Sequence, residues 1–329
     1  MNKALTADLK RAHAMIRTAK HIVLATHENP DGDGLGALLA VSLYLSSLKK
    51  KHISFVSGPI PHYLSFLPRF SSLTSALPSR APDLVIGFDY GDYRRLALPY
   101  ALPRSFPLIT FDHHPKAGQE GEVNITEPSF SSTAELMYHF FKANRIPLTP
   151  EIATCIYTGI ITDTGGFVHR NTTANTFATV SDLLAHTPLN TEYIAKQTLG
   201  FPSHGAALLV GLALSRITVD KKTHIAYSYL SWRDLKKHGV AWEDIDMTVN
   251  LMNYINNDGV KCIALFKEKN DGMIAVSFRS DAKKAYNAQA LAQALGGGGH
   301  RFAAATRMQG PLKAAMKKVF AQARKSILK

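Results

Sequence analysis

Four short stretches of this chain place acids and histidines where they could act together: HENPDGDG at 27–34, GFDYGD at 87–92, FDHHP at 111–115 and TGIITDTGG at 158–166. In the first, Asp31 and Asp33 stand two apart with glycines between and after them. Both carboxylates can turn toward one point, with His27 close by. A Pro-Asp-Gly turn followed by an aspartate at a helix N-cap would explain these residues without any function. The other stretches weigh against that reading. Asp89 and Asp112 end apolar runs, where an unsatisfied carboxylate is costly, and glycines beside Asp163 let the backbone approach a ligand. Four converging acids would repel one another without cations, whereas two divalent metals would neutralise four carboxylates. Carboxylate and imidazole donors without thiolate suit Mn²⁺, Mg²⁺, Co²⁺ or Zn²⁺. The imidazoles argue against a purely Mg²⁺ site, and Mn²⁺ fits best. Two such ions roughly 3.5–4 Å apart are the usual device for hydrolysing phosphate esters.

The elements that must hold these residues alternate. HIVLATH (21–27), HISFVS (52–57), DLVIGFD (83–89) and LITFD (108–112) read as strands. LGALLAVSLYLSSLKK (35–50), STAELMYHFFKAN (132–144) and EIATCIYTGIITDT (151–164) read as helices, and the N-terminal spacing of Leu5, Leu9, Ala12 and Ile16 predicts an amphipathic helix. Such alternation implies an α/β domain with a mostly parallel sheet, whose ligands bind at the carboxyl ends of its strands. His27, Asp89 and Asp112 all fall there. Prolines and glycines at 185–205 predict a junction. The expected division is a catalytic domain at 1–188, a linker at 189–205, and a smaller α/β domain at 206–329, with a cleft between the domains. In the second domain KCIALFKE and MIAVSFRS flank an Asn-Asp-Gly turn at 270–272, which predicts a hairpin.

Composition bounds the function classes. The chain has 329 residues and a net charge of +13, which favours an anionic substrate without naming it. No apolar run reaches the ~20 residues of a membrane span, so no membrane partner is expected. The N-terminus lacks a signal peptide's apolar segment. Cys155 and Cys262 lie in apolar runs and read as reduced core residues, which points to the cytoplasm.

In order along the chain, HENPDGDGLGA, GFDYGD, FDHHP and TGIITDTGGF resemble the four motifs of the DHH phosphoesterase superfamily. SFRS (277–280) and GGGGHRFAAA (296–305) resemble its DHHA1 domain. The layout is similar to the nano-RNase group, which couples oligoribonuclease and 3′-phosphoadenosine 5′-phosphate phosphatase activities, and to standalone cyclic-di-AMP/pApA phosphodiesterases. The resemblance implies that His27 and Asp31 bind one metal, that Asp33, His113 and Asp163 bind the other, and that Asp89 bridges them. His114 would face the scissile phosphate and Asp112 would support an imidazole or loop; no covalent nucleophile is needed, because a metal-bound hydroxide would attack. In the second domain Arg279, the glycines Gly297, Gly298 and Gly299, and His300 would hold the rest of the substrate, the glycine loop cradling a phosphate with its N–H groups. One departure stands out: Ala305 occupies a position where the family usually has glycine.

Several residues are weaker candidates. Arg94 and Arg95 could brace the acids, Ser131, Ser132 and Thr133 could cap a helix at the site, and His169 and Arg170 could touch a nucleotide. Trp232 and Trp242 are expected in packing roles. The expected function is hydrolysis of short RNA, dinucleotides or a bisphosphonucleotide with two divalent ions, chiefly Mn²⁺, with Mg²⁺ or Co²⁺ as substitutes. The alternatives are a cyclic di-AMP phosphodiesterase and, in another class, a non-catalytic nucleotide- or nucleic-acid-binding protein. An exposed sheet edge or helix could also support a homodimer.

Overall fold

The computed structural model describes residues 3–77, 81–98, 106–115, 121–245, 248–255, 259–280 and 286–327; the side chains of Glu243, His300, Ser326 and Ile327 lie outside the description. The chain forms two compact units, residues 1–200 and 201–329.

The first unit contains strands β1 (His21–Thr26), β2 (Lys51–Phe55), β3 (Leu73–Thr74), β4 (Leu84–Phe88), β5 (Leu108–Asp112) and β6 (Val123–Thr126). Its helices are α1 (Lys3–Thr18), α2 (Gly32–Ser47), α3 (Thr133–Ala143), α4 (Pro150–Asp163), α5 (Ala174–His186) and α6 (Thr191–Leu199). The strands make one sheet in the order β3-β2-β1-β4-β5-β6, and every pair is parallel. Chain direction across the sheet reverses between the neighbours β1 and β4, which is where open parallel sheets bind ligands.

Side-chain alternation divides the sheet's two faces. Ile22, Leu24, Leu84, Ile86, Phe88, Ile109 and Phe111 join the large core formed with α1 to α4. Val23, Ala25, Phe55, Val85 and Leu108 face the other way, against Tyr90 and Leu96. Helix α1 buries the stripe its spacing predicts, Leu5, Leu9, Ala12 and Ile16. Helix α2 is apolar on nearly all sides and buried accordingly. It lies close against α4, because a Cβ on Gly36 would meet the Cys155 carbonyl and one on Gly159 would meet Ala134 and Asp33. Close packing at these glycines brings the start of α2 beside the end of α4. The stretch expected as a linker contains α6, capped at its start by the Asn190 side chain.

The second unit contains β7 (Thr218–Asp220), β8 (Ile225–Leu230), β9 (Cys262–Glu268), β10 (Met273–Ser280), β11 (Gly298–His300) and β12 (Ala303–Gln309). Its helices are α7 (His204–Ser215), α8 (Trp232–His238), α9 (Thr248–Met252), α10 (Ala288–Ala294) and α11 (Leu312–Ile327). The sheet is mixed, in the order β11-β12-β10-β9-β8-β7. β9 and β10 form the expected antiparallel hairpin, with Gly272 at φ +75° in its turn. One face, with Ala264, Phe266, Val276 and Phe278, packs on α10 and α11. Trp242 packs in a cluster with α7, but Trp232, expected to pack, is exposed at the first position of α8. Among the described residues, no single helix is long and apolar enough to cross a membrane.

The glycine run differs from its expected form. Gly298–His300 is not an open loop but an edge strand paired antiparallel with Ala303–Ala305. Gly297 is pressed against β12, where a Cβ would meet the Ala305 carbonyl and Thr306. Ala305 itself is extended, paired with both Gly298 and Ser277, so this position does not require a left-handed residue.

Candidate metal centre

The site is assembled from strand ends and helix ends of the first unit. His27 follows β1, Asp89 follows β4, and Asp112 closes β5. Asp31 caps α2 and Asp33 lies in its first turn, while Asp163 is the last residue of α4. Turn chemistry and ligand geometry coexist at Asp31: its Oδ1 accepts the N–H groups of Asp33 and Gly34 at 3.0 and 3.1 Å. Asp89 holds a left-handed backbone at φ +52°, unusual for a non-glycine residue and a feature of ligand sites.

Among the described residues, three sets of side chains bring potential ligand atoms within 4.8 Å of one another: His27, Asp31 and Asp89; Asp33, His113 and Asp163; and Asp89, His113 and His114. Asp89 joins the sets with different oxygens. Its Oδ2 lies 3.7 Å from His27 Nε2, and its Oδ1 lies 3.6 Å from His113 Nε2 and 3.4 Å from His114 Nδ1. His113 Nε2 also sits 3.7 Å from Asp163 Oδ2 and 3.9 Å from Asp33 Oδ2. Apart from the contact of His114, these spacings are too long for hydrogen bonds. They suit donors that face a common centre.

Electrostatics shows how badly the cluster tolerates its own charge. Burial, then the charges of Asp89, Asp163 and Asp31, raise the Asp33 carboxyl well above the usual range. Burial and the charges of Asp89 and Asp31 do the same to Asp163. At Asp31, desolvation is outweighed by the bond and charge of His27 and by the helix N–H groups, and the carboxyl lies below the usual range. Burial disfavours a charged His27, yet Asp31 and Asp89 raise it. Asp33 and Asp163 thus keep protons more readily than ordinary carboxyls do. His113 goes the other way: burial, opposed by Asp89 and reinforced by His114, keeps it below the usual imidazole value. Neutral imidazole is the form that binds metal. The donor set fits divalent cations.

The residues around the cluster fix its orientation. Asp112 is fully buried and belongs to none of the three sets. It accepts the Gly91 N–H at 2.8 Å, and the His114 N–H and ring Nδ1 at 2.9 and 2.8 Å. Burial works against a charged His114, but Asp112 and Asp89 push it up to about 10. The His27 Nδ1 bonds the Glu28 carbonyl at 2.9 Å. The first turn of α3 reaches the acids with groups whose importance the sequence conceals. Thr133 and Ala134 donate N–H groups to Asp33 at 2.8 and 2.7 Å, and the Thr133 hydroxyl donates to Asp89 at 3.1 Å. Ser132 caps α3, and Ser131 bonds the buried Glu135. Asn171 donates to Asp163 Oδ2 at 2.8 Å and had no sequence signal at all.

The weaker candidates sort differently. Arg94 pairs with exposed Asp92 at 2.7 Å rather than with the site acids. Arg95 bonds the Tyr90 carbonyl, and its own carbonyl accepts the Glu28 N–H, tying the 27–29 loop in place. His169 Nδ1 lies 3.0 Å from the Asp163 carbonyl, so it holds the end of α4. In the second unit, Arg279 Nε donates to Asn250 Oδ1 at 2.9 Å. Gly298 and Gly299 are exposed, and the His300 side chain lies outside the described residues.

The order of motifs and this geometry agree with what the chain is similar to. Residues 21–160 match the DHH family, N-terminal domain, and residues 222–327 match the DHHA1 domain. The bifunctional oligoribonuclease and PAP phosphatase NrnA of Thermus thermophilus is 30% identical over 292 residues, 88% of this chain and 84% of that protein. This chain belongs to the DHH family of phosphoesterases. The NrnA of Bacillus subtilis is 28% identical to the DHH chain over 286 residues, 86% of this chain and 87% of that protein. Among solved structures, an exopolyphosphatase-related protein from Bacteroides fragilis has a TM-score of 0.86 and 26% identity, covering 97% of this chain and 96% of that one. As a DHH phosphoesterase, the chain has acid and imidazole groups able to hold divalent metal.

Proposed function

We propose that this protein is a Mn²⁺-dependent hydrolase of short oligonucleotides that also removes a phosphate from 3′-phosphoadenosine 5′-phosphate. The observation that carries the reading is the division of Asp89, one carboxylate oxygen toward His27 and the other toward His113. A carboxylate so placed can serve two ions. His27, Asp31 and Asp89 would hold one, and Asp33, His113, Asp163 and Asp89 the other. Bound divalent ions would supply Lewis acidity and lower the pKa of a water at the phosphate. The NrnA relatives, by name oligoribonucleases and PAP phosphatases, support the substrate class.

The chain's own groups would do the remaining work. Asp112 holds the proton of His114 at Nδ1 and turns the ring. The cationic imidazole can then donate from Nε2 to a phosphoryl oxygen or to the leaving group. In the second unit, Arg279 and the exposed backbone of Gly298 and Gly299 would bind a second phosphate or a base, together with Gly297 and His300. The buried thiols of Cys155 and Cys262 suit the cytoplasm, where they stay reduced.

The test is a substrate panel on metal-stripped protein resupplied with Mn²⁺, Mg²⁺ or Co²⁺. It contains pApA, pGpG, a pentamer RNA, 3′-phosphoadenosine 5′-phosphate, cyclic di-AMP and pyrophosphate. Turnover of the short RNAs and the bisphosphonucleotide, fastest with Mn²⁺, is expected. Preference for cyclic di-AMP would move the reading to that substrate. Loss of all turnover would overturn the enzyme reading in favour of a binding protein.

A further inference from the structure

Asn171 follows α4 in the loop that leads to α5, and no motif includes it. Its side chain reaches the same Asp163 oxygen that faces His113. Nδ2 lies 2.8 Å from Asp163 Oδ2, 2.7 Å from the Ser131 carbonyl and 3.2 Å from the Asp163 carbonyl. All three neighbours are acceptors, so the atom facing them must be the amide nitrogen. Its two N–H groups serve three oxygens, the longest contact being the shared one. The other amide atom, Oδ1, is buried without a hydrogen-bond partner among the described residues. An amide that leaves its acceptor unsatisfied to aim both donors one way is held there by what those donors do.

The anchor at the far end is rigid. Ser131 donates its N–H at 2.8 Å and its hydroxyl at 2.5 Å to Glu135, which is fully buried. Glu135 also accepts the Thr176 hydroxyl at 3.1 Å, and Thr176 belongs to the capping box that starts α5. The start of α5, just after Asn171, is therefore tied to the same anchor. The same short segment, 131–134, supplies the two N–H groups on Asp33 and the hydroxyl on Asp89. One turn of chain thus sets the positions of three carboxylates, two of them directly. For the third, Asp163 at the very end of α4, it needs an intermediary. Oδ2, the oxygen Asn171 holds, is the one that faces His113 at 3.7 Å.

We propose that Asn171 is a positioning residue for Asp163: it ties the Asp163 carboxylate to the start of α3, fixing the spacing between Asp163 and Asp33 across the His113 site. This inference rests on the reading of that site as a metal centre. Groups that orient a metal ligand in this way change affinity or activity about 10–100-fold when removed.

The experiment is a double-mutant cycle on Mn²⁺ binding, measured by isothermal titration and by electron paramagnetic resonance of free Mn²⁺, without substrate. Four full-length proteins enter it: wild type, Asn171→Ala, Asp163→Asn and the double variant. Asn171→Ala is expected to weaken one class of Mn²⁺ sites about 10–100-fold. In the Asp163→Asn background the same change is expected to weaken binding no further, because the side chain acts through that carboxylate. A merely structural role would lower affinity in both backgrounds and would overturn the proposal, as would unchanged affinity in the single variant. A wild type that binds no Mn²⁺ would instead overturn the metal reading itself, together with this inference. If Asn171→Ala does not fold, Asn171→Asp, which keeps the volume and loses the donor, carries the same cycle.

Discussion

His113 and His114 are consecutive in the chain yet turn to different partners. His113 Nε2 points among Asp33, Asp89 and Asp163, while His114 Nδ1 is held by Asp112 at 2.8 Å. Both follow the last residue of β5, with ring centroids 4.7 Å apart and Asp89 Oδ1 near each; what separates their roles is the bond from His114 to Asp112. The two aspartates beside them should therefore answer differently to an isosteric change. Asp89→Asn removes the charge shared by both sets, and it should lower turnover by more than about 100-fold, beyond the range of supporting groups, with loss of Mn²⁺ binding in titration. Asp112→Asn should lower kcat about 10–100-fold with the bound Mn²⁺ unchanged, because the oxygens of Asp112 are taken by N–H donors. Equal loss of metal in both variants would refute the division of roles. Asp89 and Asp112 were legible in the sequence because they end apolar runs, where a lone carboxylate is expensive, and Asp31, Asp33 and Asp163 because of the glycines beside them. Asn171, and the N–H groups of Thr133 and Ala134, were not. They reach Asp163 and Asp33 only through the tertiary fold, and a backbone N–H has no residue type to betray it.

At the level of elements, the site depends on how closely α2 and α4 approach. Gly36 faces the Cys155 backbone, and Gly159 faces Asp33 and Ala134. Neither glycine has a left-handed backbone, so what they provide is space rather than conformational freedom. A methyl group at Gly36 would press on backbone that cannot rotate away. Gly36→Ala is expected to destabilise the first unit by about 1–3 kcal/mol, as overpacked cores do, seen as a lower urea midpoint by circular dichroism. It should weaken Mn²⁺ binding too, since Asp33 and Asp163 sit at the two helix ends that would move apart. An unchanged midpoint would show that the helices can separate freely there. Periodicity revealed both helices but not their contact. Gly298 and Gly299 show the reverse case. Glycine is a poor strand former, so the run reads as a loop, yet pairing with Ala303–Ala305 makes it a strand.

For the molecule as a whole, the two units carry separate cores, and both tryptophans, Trp232 and Trp242, belong to the second. Their emission reports that unit's unfolding, while circular dichroism reports both. One prediction uses this at low pH. Arg216 grips Asp234 with two bonds of 2.6 and 3.1 Å. Desolvation of Asp234 is outweighed by Arg216 and by Ser231, and its carboxyl is pushed down to about 2. A carboxyl whose folded pKa lies below its unfolded value, about 3.9, stabilises the fold above that value. The contribution is lost as pH falls from about 4 toward 2 and amounts to about 1 kcal/mol after allowance for solvent screening. The tryptophan-detected midpoint should drop across that window in the wild type and hardly at all in Arg216→Met. The second prediction separates the units with metal. Cations that bind only the folded acid cluster stabilise it by RT ln(1 + [L]/Kd), about 2.7 kcal/mol at a hundredfold excess over Kd. All six proposed ligands lie in the first unit, so saturating Mn²⁺ should raise the dichroism-detected transition and leave the tryptophan transition where it was. Chelation by EDTA should reverse the shift. A tryptophan transition that moves equally with Mn²⁺ would mean that the ions are held elsewhere or that the two units unfold as one.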